Sequence, residues 1–295
     1  MSQLQFFGEG LPYIEPADYP GILITIEGTD GVGRTTQIAM LREWLEVQGY
    51  GVVETGWTRS RLIGRTITEA KEGRMLNRWT YSLIYAADFA DRLEKEILPA
   101  LRSGFVVLAD RYVFTAFARD TVRGTDRQWV RDLFGFAPKP HLVLYLKLDI
   151  TTLIRRVMVR GPIDYFESGM DMAMGDDPYD SFKRYQNLLI KEYNQMAEEF
   201  GFHTLNARIQ PERLQDQIRQ IVAECFQQRG FGAASLSPGG LLTGADLLPF
   251  DTPVQNTGIV ASDAAPGTTP EESMRANPIP STTGRPAPQP VRDLE

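Results

Sequence analysis

The sequence predicts an α/β fold in which a parallel sheet is wrapped on both faces by helices. Short apolar, β-branched runs alternate with segments whose apolar residues recur at helical spacing, the order expected of a doubly wound sheet. Most of these runs are too uniformly apolar to present a wet face, the composition of parallel strands covered on both sides. The first of them, Leu23-Ile24-Thr25-Ile26, breaks into a glycine loop and then a helical segment.

Residues 1–21 carry Glu9, Glu15 and Asp18, lack the basic and apolar regions of a signal peptide, and read as an irregular N-terminal extension available to pack on the domain. Ile22 to Ile26 is the first strand, and Thr36 to Val47 follows as a helix with Ile38, Leu41, Trp44 and Leu45 on one face. Gly51 to Val53 is the second strand. Trp79 to Leu101 reads as one long helix carrying Leu83, Ala87, Ala90, Leu93 and Leu98. Phe105 to Leu108 and Leu142 to Leu148 supply two further buried strands. Helices are expected over Thr151 to Arg160, Tyr179 to Phe200 and Pro211 to Phe226, with Thr204-Leu205 as a weak final strand. The folded domain therefore spans 22–227. From Gln228 to the end, glycine, proline, serine, threonine and alanine dominate, so 228–295 reads as a disordered low-complexity tail. Leu241-Leu242 and Leu247-Leu248-Pro249-Phe250 interrupt it, as segments able to dock on the domain or on an unidentified partner.

The chain has 295 residues, 42% hydrophobic and 23% charged, with no apolar run near the length of a membrane span. A formal charge of -7 argues against sequence-independent binding to nucleic acid or to an anionic membrane surface. Cys225 is the sole cysteine, which excludes an intrachain disulfide and fits a cytoplasmic setting.

The glycine loop fits the pattern G-x-x-x-x-G-K-[ST] through Gly28, Gly33 and Thr35, with Arg34 in the lysine place. Gly28, Gly31 and Gly33 permit positive φ and close backbone approach, so the stretch Gly28-Thr29-Asp30-Gly31-Val32-Gly33-Arg34-Thr35-Thr36 can surround a nucleotide phosphate with N–H groups. Thr35 would give its hydroxyl to Mg²⁺. Arg34 keeps the charge but presents a larger planar fork than an ammonium.

In such sheets ligands bind beyond the carboxyl ends of the strands. After the second strand, Arg59 and Arg61 offer positive charge, or form a solvated pair. After the third, Asp110 is placed as a metal ligand and Arg111 as a phosphate holder, with a buried salt bridge as the plain alternative. Arg155, Arg156 and Arg160 lead into an irregular Gly-, Met- and Asp-rich stretch to Asp180, the composition of a lid bringing cations onto transferring phosphates. Arginines near a helix C-terminus also complement its dipole.

Taken together, the chain resembles the thymidylate kinases, P-loop nucleoside-monophosphate kinases, from about Gly21 to Phe226. The resemblance is carried by residues 27–37, by Tyr81 to Asp88 leading to Ile97–Gly104, by Val106 to Tyr112, and by Arg160-Gly-Pro-Ile-Asp164 with Glu167. It implies a P-loop NTPase fold with a five-stranded parallel sheet, ATP and Mg²⁺ on the donor side, phosphoryl transfer to dTMP, and commonly a homodimer. In that scheme Asp30 and Arg111 lie near the acceptor phosphate, Arg155, Arg156 or Arg160 serves the lid, and Arg59, Arg61, Tyr85, Arg111, Tyr112 and Arg119 hold the acceptor.

The sequence departs from that family pattern mainly on the acceptor side. Gly56-Trp57-Thr58 stands for an arginine-glutamate-proline run, and Phe89 for an arginine that reads thymine. Arg119-Asp120 replaces tyrosine-glutamine, and Tyr165 an arginine after the lid aspartate. Three readings stay open: a dTMP kinase, a kinase with another acceptor, and a catalytically weak nucleotide-binding regulatory module.

Overall fold

Strand β1 (Ile22–Glu27) is buried at all six positions, so its apolar run meets helices on both faces as expected. In the computed structural model, which describes residues 4–12, 14, 19–73 and 76–232, β1 lies at the centre of a five-stranded sheet. Its companions are β2 (Val52–Gly56), β3 (Val106–Asp110), β4 (Leu142–Lys147) and β5 (His203–Asn206), in the order β2-β3-β1-β4-β5. All four pairings are parallel. The register sets Ile26 and Gly56 opposite Asp110, and Glu27 opposite Tyr145, so the carboxyl ends of β1 to β4 converge on one edge. Because β3 and β4 lie on opposite sides of β1, a crevice opens beyond that edge.

The strand alternation sorts the core into two layers. Leu23, Val107, Ala109, Val143 and Tyr145 face α3 (Arg78–Arg92), α5 (Val113–Val122) and α8 (Pro178–Phe200). Ile22, Ile24, Ile26, Leu108, Leu144 and Leu146 face α1 (Arg34–Val47), α7 (Ile150–Arg160) and α9 (Pro211–Arg229). Phe7 of the N-terminal segment sets its ring edge against Phe114, Phe117 and Phe200, and Phe6 bridges to Pro138. Beyond α9, Phe231 stacks on Tyr50. The tail expected over 228–295 lies outside the described residues from 233 onward.

The structure differs from the sequence reading in four places. The helix expected from Trp79 to Leu101 is interrupted by a π-helical turn at Leu93–Ile97 before α4 (Leu98–Arg102). Pro99 at the start of α4 has no N–H to donate, and the wider turn accommodates it. Strand β2 extends through Glu54 and Thr55, which an edge strand tolerates. Helix α5 is buried at seven of its ten residues, so no polar face reveals its period. Helices α2 (Gly64–Glu72) and α6 (Arg127–Leu133) are short; α6 starts at Asp126, whose carboxylate accepts from Trp129 N–H at 2.8 Å.

Candidate active site

The loop between β1 and α1 takes its shape from two glycines and its openness from a third. A Cβ at Gly28 would lie 2.6 Å from the Leu146 carbonyl oxygen, and one at Gly31 would lie 2.7 Å from Val157 Cγ2. At Gly33, where φ is +103°, a Cβ would meet nothing within 4 Å. Gly33 is also the N-cap of α1, and Thr35 and Thr36 are exposed in its first turn. The loop mouth is thus an open helix N-terminus of the kind that binds phosphate.

Arg34 turns inward. Its Nε donates to Asp110 Oδ1 at 2.9 Å, and one Nη donates to the Gly28 and Thr29 carbonyl oxygens at 2.5 Å each. Its other Nη lies 3.9 Å from Asp30. Asp30 also accepts from Arg111 and, at 2.9 Å, from Arg119 on α5. Burial disfavours the Asp30 carboxylate, but Arg111, Arg119 and Arg34 together hold its pKa well below the ordinary range. Arg111 suffers the converse: burial and its two neighbouring guanidiniums depress its pKa. Its backbone is left-handed, with φ of +69°, pinned by its N–H donating to Ile26 O at 3.1 Å. Left-handed backbone at a non-glycine costs on the order of 1–3 kcal/mol and concentrates at functional sites.

Opposite this cluster, the segment after β2 forms the second wall. Thr58, also at positive φ, donates its N–H to Asp88 Oδ2 at 3.1 Å, and Ser60 N–H donates to Asp88 Oδ1 at 3.0 Å. Asp88 is fully buried and paired with Arg92, which continues to the Thr55 hydroxyl and lies under the Trp57 ring. Between the walls is a cavity of about 220 Å³. It brings together Asp30, Arg34, Arg59, Tyr85, Asp110, Arg111 and Arg119, residues singled out from sequence.

Other expected site residues sit elsewhere. Arg61 is exposed in the turn before α2, and Arg155 is exposed on α7. Arg156 donates to Val32 O at 3.1 Å and Ala207 O at 2.9 Å, bracing the phosphate loop from outside. Arg160 pairs with Glu167, one of the cavity-lining residues. Tyr112 lies in the core: after the left-handed turn at Arg111 its N–H donates to Glu27 and its hydroxyl to Pro138 O. Trp57, Lys71 and Phe166 line the cavity without having been picked out as binding residues. Lys71 lies on α2, a helix with no clear signal, whereas the Asp88–Arg92 spacing of four within an apolar stripe was a readable one.

The irregular segment after α7 is tied down by Arg123. Its guanidinium donates to Asp171 at 2.7 Å, to the Tyr185 hydroxyl at 2.6 Å and to Phe166 O at 3.1 Å. A second cavity, of about 300 Å³, opens on the other side of the phosphate loop, between Gly31, Gly33, Thr36, Arg156, Ala207 and Pro211. The loop therefore stands between two spaces, as transfer between two substrates requires.

Glu27, under the loop, accepts from Tyr112 N–H, the Thr115 hydroxyl and the Tyr193 hydroxyl. Burial outweighs these bonds and pushes its pKa from 4.5 up to about 7. The folded chain thus binds a proton more readily than the unfolded chain, and this stabilisation, full below pH 4.5, is lost as pH rises through about 7. Glu27→Gln, which cannot ionise, is expected to gain about 3 kcal/mol relative to the native chain between those pH values. Urea unfolding at a series of pH values checks this; a difference independent of pH contradicts it.

Residues 26–218 match the family model for thymidylate kinase. The chain belongs to the thymidylate kinase family. It is 40% identical over 207 residues to a probable thymidylate kinase 2 of Saccharolobus solfataricus, covering 69% of this chain and 96% of that one. It is 31% identical over 211 residues to a probable thymidylate kinase of Thermococcus kodakarensis, covering 68% and 97%. Over 136 residues it is 42% identical to a thymidylate kinase of Clavibacter sepedonicus, covering 44% and 64%. As a thymidylate kinase family member it is a nucleoside-monophosphate kinase, a transferase. Membership supports phosphorylation of dTMP over the other acceptors and the regulatory module left open by the sequence. No helix of the described residues is long and apolar enough to cross a membrane.

Proposed function

We propose that this chain transfers the γ-phosphoryl group of ATP to dTMP, with the donor on the α1 side of the phosphate loop and the acceptor in the cavity beside Tyr85. The observation that carries the assignment of sides is the crowding of Arg34, Arg111 and Arg119 around Asp30, with Asp110 as the other carboxylate. Three partly buried cations face two anions there, an excess that an incoming phosphate relieves. Loop N–H groups and Arg34 bind the donor phosphates; Arg111, with Arg59 and Lys71 at the cavity wall, holds the acceptor phosphate. Tyr85, stacked on Tyr81 at 4.5 Å, offers its ring to the base. Arg160 is positioned to approach the transferring group once it leaves Glu167.

The donor set fits Mg²⁺: the exposed Thr35 hydroxyl and the partly exposed Asp110 carboxylate are hard oxygen ligands. When bound there, Mg²⁺ would neutralise charge on the donor phosphate oxygens. Asp110 must first release Arg34, which frees the guanidinium for phosphate. Trp79 and Leu83, exposed on one face of α3, support a homodimer. Nucleotide substrates and a lone cysteine support a cytoplasmic setting.

Arg34→Lys tests the donor assignment. An ammonium keeps the charge at the loop, so kcat with ATP and dTMP is expected to stay within about tenfold of the native value. A loss beyond about a hundredfold in steady-state assays contradicts a role resting on charge.

A further inference from the structure

Asp120, on α5 one turn beyond Ala116, is only 2% exposed, yet neither of its carboxyl oxygens has a hydrogen-bond partner among the described residues. The Ser82 hydroxyl lies beside it, and its two arginine neighbours are committed elsewhere. The Ser82 hydroxyl donates to Arg78 O, Arg119 is bound to Asp30, and Arg123 is bound to Asp171, Tyr185 and Phe166. A buried carboxyl kept only for the fold is normally paired, because leaving it unpaired is costly.

Asp120 instead lines a small hole with Trp57, Tyr81, Tyr85 and Ala116, with room for about one water. Trp57, Tyr85 and Arg119 line both this hole and the acceptor cavity, so the two spaces adjoin. Phe89, on the same helix as Tyr85, is fully buried and has no polar atom to offer a base.

We propose that Asp120 reads the hydrogen-bonding edge of the acceptor base, accepting the imide N3–H of thymine from beyond the Trp57 and Tyr85 rings. This rests on the dTMP reading above. Burial pushes the Asp120 pKa up to about 6, against the Ser82 hydroxyl and the Arg123 and Arg119 charges, so above neutrality the group is a carboxylate and only an acceptor. Thymine and uracil present a donor at N3. Cytosine presents a lone pair there, which a carboxylate repels.

The test uses the full chain at pH 8 with ATP, Mg²⁺ and dTMP, N3-methyl-dTMP or dCMP, comparing native protein with Asp120→Leu and Asp120→Asn. N3-methylation is expected to cost the native enzyme at least about tenfold in kcat/KM, chiefly through KM, and to cost Asp120→Leu less than about twofold. Asp120→Leu is also expected to melt no lower than the native chain, since it removes an unpaired carboxyl. Asp120→Asn, whose amide can donate to cytosine N3, is expected to raise dCMP use relative to dTMP by about fivefold or more. That arm stands if Asp120→Leu fails to fold. Equal methylation costs in native protein and Asp120→Leu, or no gain of dCMP use in Asp120→Asn, overturn the inference while leaving dTMP as acceptor. No turnover of dTMP by native protein overturns the acceptor reading itself.

Discussion

Arg111→Ala is expected to lower kcat/KM for dTMP phosphorylation by about 10³-fold while ATP binding is retained. Arg111 is placed by the strand that precedes it: β3 ends at Asp110, opposite Ile26, and Arg111 N–H continues the pairing to the Ile26 carbonyl. That anchor forces the left-handed backbone and delivers the guanidinium to Asp30, between Arg34 and Arg119. Charge fixed at the place where phosphate charge develops needs no reorganisation, and removing one such group costs about 10²–10³ or more. Arg111→Lys has a point charge and no fork, and should recover only part of the loss. Steady-state kinetics in both substrates, with titration of ATP into the free protein, read the effect. A fall of less than about tenfold would remove Arg111 from the acceptor site.

The largest expected effect on stability comes from Asp88→Ala. Asp88 and Arg92 are 0% and 2% exposed, one helical turn apart on α3, and the carboxylate also accepts the Thr58 and Ser60 N–H groups. Removing it strands a buried guanidinium and two backbone donors, a loss of about 3–5 kcal/mol. For a domain of this size the melting temperature should drop by about 10 °C or more. The second wall of the cavity depends on the same carboxylate, so whatever folds should show a raised KM for dTMP. A melting shift below about 2 °C would mean that the segment after β2 is held by something else.

Legibility in the sequence followed the degree to which a residue's job is local. The phosphate loop could be read because glycine spacing and a strand-to-helix transition are properties of adjacent residues, and Asp110-Arg111 because a strand end is marked by its apolar run. Helix α5 could not, since burial on nearly every side erases amphipathic period; Arg119 was reached only through the family resemblance, and Asp120 was given no role. Lys71 and Phe166 reach the cavity from segments far apart in the chain, and no spacing rule links them. Tyr112 follows Arg111 immediately, yet the positive φ between them sends one side chain to the cavity and the other to the core. The arginines after β4 looked alike in sequence. The structure gives Arg156 to the back of the loop and Arg160 to Glu167.

Whether a site with arginine in its phosphate loop and a rebuilt acceptor wall transfers phosphate to dTMP is answered most directly by following the products. Full-length protein is incubated with ATP, Mg²⁺ and an equimolar mixture of dTMP, dUMP, dCMP, dAMP and dGMP, and the diphosphates are resolved by chromatography. A dTMP kinase yields dTDP first and in excess, with ADP formed in equal amount. Accumulation of a different diphosphate, or ADP without any, would contradict it.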